Sequence, residues 1–167
     1  MRKYQEYAEK PIEFLALTGY TRQEFDKLLP HFSRCYYDRM KTHCLEGKPR
    51  GKRTYSDYKN SPLPTIEDKL FFILNYLKTN NLQNVQGALF GISQPKANVW
   101  IHCLHPILNQ SLAELGELPA RQMDQVLFDD QERIYFHDGT ERPIPRPSDP
   151  EQQRLYYSGK KTTRTQK

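Results

Sequence analysis

"LQNVQGALFGISQPKANVWI", Leu82 to Ile101, is the stretch on which the fold turns. A short helical run, NVQGALF, stops at Gly91, which permits the positive φ of a tight turn. Ile92 can pack into the angle between two helices, and Ser93 suits the N-cap of the second. Pro95 stands in the first turn, where a missing N–H costs little. Beyond it Ala97, Trp100, Ile101, Leu104 and Leu108 recur at i, i+3, i+4, i+7 and i+11, the spacing of a buried helical stripe. The pattern predicts a helix-turn-helix whose second helix leaves Gln94, Lys96, Asn98 and His102 on its outer side. Such a unit presents the first residues of its second helix to base edges in the major groove, where Gln and Asn pair with adenine and Lys reaches guanine or phosphate. Ser93, Gln94, Lys96 and Asn98 are the candidate DNA-contacting residues. Small helical domains also use this turn for packing alone; the polar and basic outer face favours DNA.

Upstream, Thr65 caps a helix from Ile66 to about Asn80, with Leu70, Ile73, Leu74 and Leu77 on one face and Glu67 and Asp68 complementing its N-terminal dipole. "LEGKPRGKRTYSDYKNSPLP", residues 45–64, is rich in Gly, Pro and charge and reads as a linker or mobile basic loop. Before it, Thr21 and Glu24 form a capping box, and Phe25, Leu28, Leu29 and Phe32 follow at helical spacing. That helix is expected to end or kink near Pro30.

Downstream, "DQVLFDDQERIYFHDGTERPIPRP" alternates β-prone runs, Val126–Phe128 and Ile134–Phe136, with polar turns, as in two short strands or a hairpin. Asp138 would stand at a strand end, where a rigid backbone can aim a carboxylate. Two-metal phosphoryl-transfer sites need several such carboxylates, because Mg²⁺ takes oxygen ligands and keeps positions open for water and phosphate. "DGT" is equally an ordinary turn signature. "PRPSDPEQQRLYYSGKKTTRTQK" reads as a proline-rich loop followed by a basic, aromatic end.

Composition bounds these readings. A hydrophobic share of 37% is low, but 12% aromatic residues, eleven of them Tyr, supply enough buriable surface for a core. Lys and Arg number 25 against 20 Asp and Glu, with a sequence pI near 9.0, which is compatible with a polyanionic partner. The positive charge is clustered: Lys41, Lys48, Arg50, Lys52, Arg53 and Lys59 lie in one segment, and Arg154, Lys160, Lys161, Arg164 and Lys167 in another. Either cluster suits phosphate contacts or is a solvated loop. No stretch approaches the roughly 20 apolar residues of a membrane span, and MRKYQEYAEK lacks a signal peptide's apolar run, so the expected location is cytoplasmic. Cys35, Cys44 and Cys103 contain no C-x-x-C pair; with His43 and His105 they match no standard zinc spacing and read as buried or idle thiols.

The order "LTGYTRQEF", then "LPTIEDKLFFILNYLKTNNLQNVQGALFGISQPKANVWI", then "HDGTERPIPRP", then "YYSGKK" resembles the N-terminal part of a bacterial insertion-sequence transposase of the DDE type, in the insertion-sequence-five group. The resemblance implies a mainly α protein. An N-terminal helical region and basic linker would fill residues 1–60 and a helix-turn-helix domain 61–115. The first strands of an incomplete ribonuclease-H-like α/β domain would follow over 116–167. It implies that Asp138 is the first acidic residue of the catalytic triad and a Mg²⁺ ligand, and that the second Asp and the final Glu have no counterpart in the sequence. Asp149, Glu151 and Glu141 lack the context of those residues. The expected protein is a truncated or first-frame product that binds double-stranded DNA, at the terminal inverted repeats of the element, without completing the chemistry and without holding Mg²⁺ tightly. A full-length transposase or a second-frame product is the implied protein partner. The alternative is a stand-alone DNA-binding regulator or inhibitor of transposition.

Overall fold

A computed structural model describes residues 3–52, 54–56, 60–119, 142–143, 148–155 and 165–166. The chain divides into two compact units, Met1–Pro119 and Ala120–Lys167. The described residues are mainly helical.

In the first unit the helices are α1 (Tyr4–Tyr7), α2 (Pro11–Thr18), α3 (Arg22–Thr42), α4 (Ile66–Thr79), α5 (Gln83–Phe90) and α6 (Gln94–Glu114). Pro11 opens α2 and Gly19, at φ +76, ends it. The Thr21–Glu24 capping box opens α3 as expected: Glu24 N–H donates to the Thr21 hydroxyl and Thr21 N–H to the Glu24 carboxylate at 2.7 Å. Pro30, where an end or a kink was expected, does not end this helix. Proline removes the donor that would meet the Asp26 carbonyl, but Asp26 and Pro30 are both exposed, so water can replace it. On the opposite side the buried residues Phe25, Leu28, Phe32, Cys35, Tyr36 and Met40 continue at helical spacing past the proline.

The Thr65 hydroxyl accepts the Asp68 N–H at the start of α4, and Asn80 in the left-handed conformation closes it. The expected single apolar face is too narrow for this helix. Leu70, Ile73 and Leu74 are buried, but so are Phe71, Phe72, Lys69 and Asn75, whereas Leu77 is 46% exposed. The cause is position: α4 packs against α1, α2, α3 and α6. Polar side chains inside this core have backbone partners. Asn75 Nδ2 donates to the Leu17 carbonyl at 3.0 Å, Gln86 Nε2 to the Phe72 carbonyl at 3.1 Å, and Lys69 Nζ to the carbonyls of Pro64 and Thr65. Aromatic rings fill the space between helices, with Phe14 edge-on to Phe25 at 5.2 Å and Phe72 edge-on to Phe90 at 4.9 Å.

The segment after α3, expected as a linker or mobile loop, is folded back on the helix end over its described residues. Arg50 N–H donates to the Thr42 carbonyl, Arg50 Nε to the Met40 carbonyl and an Nη to the His43 carbonyl. One arginine thereby satisfies three carbonyls at the α3 C-terminus, where a cation also complements the dipole. Gly47, at φ +77, lets the chain reverse so that Cys44 N–H reaches the Lys48 carbonyl.

In the second unit Arg142–Pro143 pairs antiparallel with Thr165–Gln166, Arg142 opposite Gln166. A short helix, α7 (Pro150–Leu155), occupies part of the expected proline-rich loop. Asp149 precedes it and accepts the Glu151 N–H, and Pro150 stands where a helix tolerates proline. The strands expected at 126–128 and 134–136 lie outside the described residues, as do Asp138, Glu141 and the YYSGKK segment.

Candidate nucleic-acid interface

The geometry begins with Gly87. A Cβ there would stand 2.6 Å from the Ile92 carbonyl oxygen, so only glycine lets α5 approach the turn this closely. Ile92 N–H donates to the Gly87 carbonyl at 2.9 Å, and Gly91 takes φ +68 between them. Ile92 then packs against the core. Gln86 holds α5 onto α4 through its bond to Phe72.

Ser93 occupies the N-cap of α6 with extended backbone, as expected, but its hydroxyl makes no capping bond. The first turn of α6 thus keeps backbone N–H groups and an exposed hydroxyl facing outward, a combination that favours acceptors and negative charge. Gln94 and Lys96 are exposed, Asn98 is half-buried, and His102 is exposed one turn further on. Ala97, Trp100, Ile101, Leu104 and Leu108 all lie in the core, as the stripe predicts, joined by Cys103, Ile107 and Ser111.

Gln83, the first residue of α5, carries no role in the sequence reading and is central here. Its Oε1 accepts from Gln94 Nε2 and from Asn98 Nδ2, both at 3.0 Å. One amide of α5 therefore fixes two amides of α6, which removes their rotational freedom before any ligand arrives. The signal for it in the sequence is weak, since a Gln at a helix start gains meaning only once the crossing of α5 and α6 is known.

Charge is distributed unevenly along α6. Between Lys78 and Glu114 the only Lys, Arg, Asp or Glu is Lys96. Glu114 at the far end is bound by Arg34, whose hydrogen bond holds the carboxyl below the usual range, and His31 Nδ1 lies 3.8 Å away. The carboxylate of α6 is thus confined to the end remote from Gln94. Inside, burial pushes the Cys103 thiol up to about 11. Among the described residues no three His, Cys, Asp or Glu side chains are grouped to hold a metal ion. Asp138 lies outside those residues.

Residues 61–114 match the family model described as the helix-turn-helix of DDE superfamily endonuclease. The match takes in α4, α5 and α6, including Gln83, Gly87 and the four candidate contact residues. No curated protein and no solved structure matches the chain. Around the matched segment, α1 to α3 complete the core, and no helix among the described residues is long and apolar enough to cross a membrane.

Proposed function

We propose that the chain binds double-stranded DNA by laying the first half of α6 in the major groove, as the DNA-recognition part of an insertion-sequence transposase of the DDE type. The observation that carries this reading is the outer face of α6: an N-terminus without a side-chain cap, two amides held in register by Gln83, a lone cation at Lys96, and no carboxylate until Glu114. Ser93 and Lys96 suit phosphate or guanine, and Gln94 and Asn98 suit adenine. Lys41, Lys48 and Lys52 are exposed and supply sequence-independent attraction to the backbone. The terminal inverted repeats of the element are the proposed sites.

Asp138 is proposed as the first carboxylate of a catalytic site that needs further acidic residues. Magnesium ions held by a complete triad would activate water, and then a DNA 3′-hydroxyl, for attack on phosphodiesters. A single aspartate does not clamp the attacking and leaving oxygens, so DNA binding is the activity proposed for the described residues. The same property suits a repressor of transposition, and expression beside an intact transposase separates the two: a fall in transposition frequency marks the regulator.

The test of binding is selection of duplexes from a random pool followed by anisotropy titration. The triple variant Q94A/K96A/N98A is expected to lose the preference for the selected duplex and to fall to the non-specific range, of the order of 10⁻⁴ to 10⁻⁶ M. Unchanged affinity and preference in a folded triple variant would overturn the assignment of α6.

A further inference from the structure

Beside the outer face of α6 lies a cavity of about 520 Å³. Lys96 and Trp100, one helical turn apart, form one wall, and Cys44, Glu46, Arg50 and Tyr55 from the segment after α3 form the other. The second wall is built rather than loose. The Arg50 guanidinium, tied to the Met40 and His43 carbonyls at the C-terminus of α3, lies 5.2 Å from the Tyr55 ring centroid, and the Tyr55 hydroxyl is 2.8 Å from that of Tyr36, which is fully buried. Trp100 is 3% exposed, and its indole N–H has no acceptor among the described residues.

Three features of the lining narrow the ligand. The half-buried Tyr55 ring offers stacking surface that a lone phosphate does not use, and Trp100, almost wholly buried, closes the wall of the cavity behind it. Two cations, Lys96 and Arg50, offer charge that a purely apolar guest does not use. Glu46 repels phosphate from its side of the cavity yet accepts a hydrogen bond from an amino group, as carboxylates do from the exocyclic amine of cytosine. A nucleotide uses all three, and the cavity is large enough for one.

We propose that this cavity holds one unpaired nucleotide of DNA bound along α6, its base on the Tyr55 ring and beside the wall that Trp100 closes, its amino edge toward Glu46 and its phosphate at Lys96 and Arg50. The proposal rests on the DNA-binding reading above and adds to it a single-strand subsite. Bases with an exocyclic amine are then preferred over thymine.

Trp100 is the protein's only tryptophan, so its fluorescence reports on this cavity. The full chain is titrated with oligo-dC, with oligo-dT and with the selected, fully paired duplex, following Trp100 emission and the anisotropy of labelled DNA. Saturable quenching by oligo-dC is expected, with oligo-dT weaker by about tenfold. Tyr55→Ala should weaken the single strand by about fivefold or more, and Glu46→Ala should erase the dC over dT preference. Both variants should leave the anisotropy-measured duplex affinity within about twofold. A bulky maleimide on Cys44 supplies a test that needs no substitution, because it should block the single strand. Duplex binding with no saturable quenching by either oligonucleotide overturns the cavity proposal and leaves the α6 reading standing. Equal quenching by the paired duplex overturns the unpaired nucleotide. Single-strand binding without duplex binding overturns the α6 reading alone, and no binding to any DNA overturns both.

Discussion

Two residues of the helix-turn-helix differ in what their substitution tests. Gly87 is a matter of space: with a Cβ 2.6 Å from the Ile92 carbonyl oxygen, Gly87→Ala forces backbone to move, and overpacking of this kind costs about 1–3 kcal/mol. Urea denaturation should show that loss, and DNA preference should fall with it because the angle between α5 and α6 changes. Gln83 is a matter of orientation. Its side chain is half-buried and touches the amides of Gln94 and Asn98, so Gln83→Ala is expected to alter stability by less than about 1 kcal/mol. It should nevertheless relax discrimination at the base pairs read by those amides, where a good bidentate contact is worth about 1–3 kcal/mol. Competition between the selected duplex and single-base variants measures this; a uniform drop across all sequences would mean that Gln83 acts through the phosphates instead. The cysteines give a third comparison. Burial raises the thiols of Cys35 and Cys103, the latter to about 11, and only the thiolate reacts. Mass spectrometry after brief maleimide treatment at pH 8 should therefore find the native protein labelled at Cys44 and the denatured protein at all three.

At the scale of elements, α3 and the end of α6 are joined by charge. Arg34 bonds Glu114, and Lys27 stands 3.4 Å from Glu117 just beyond α6. Because the Arg34 hydrogen bond lowers the folded pKa of Glu114 below its unfolded value, the contribution of this pair is complete above the unfolded pKa, about 4.3. It is lost as pH falls through the folded pKa. The stability difference between the native chain and Glu114→Gln should therefore be present at about pH 6 and shrink below about pH 4. A difference independent of pH over that range would assign the effect of the substitution to packing. The elements also show what local pattern conveys. Caps and turns were legible because their chemistry is local: Thr21 with Glu24, Thr65 with Asp68, and Gly91 between α5 and α6 need only their neighbours. Whether α3 ends or continues at Pro30 was not, because continuation depends on burial of Phe32, Cys35, Tyr36 and Met40 against helices far along the chain. For the same reason Gln83 and the folded segment around Arg50 escaped a reading of composition. The first is defined by a helix crossing and the second by carbonyls that Arg50 finds at the end of α3.

At the scale of the whole molecule, a single core runs across residue 60. Phe14, Phe25, Leu28, Phe32, Tyr36 and Met40 on one side of that point share it with Leu70, Phe71, Phe72, Trp100 and Leu104 on the other. α4 is buried around most of its circumference, so removing α1 to α3 would expose Phe71 and neighbouring apolar side chains with nothing to replace their partners. The backbone bond from Tyr4 N–H to the buried Asp68 and that from Asn75 to Leu17 would be lost as well. Loss of a single buried aromatic side chain costs about 3–5 kcal/mol, comparable with the total stability of a small domain. A polypeptide of residues 61–119, although it contains the entire family match, is therefore expected to lack a cooperative thermal transition and to show no preference for the selected duplex. Residues 1–119 should keep both, with a melting temperature close to that of the full chain. Calorimetry and anisotropy on the two fragments decide the matter: cooperative melting of 61–119 would make the helix-turn-helix an independent domain, and would move the role of α1 to α3 from forming the core to presenting the basic segment beside α6.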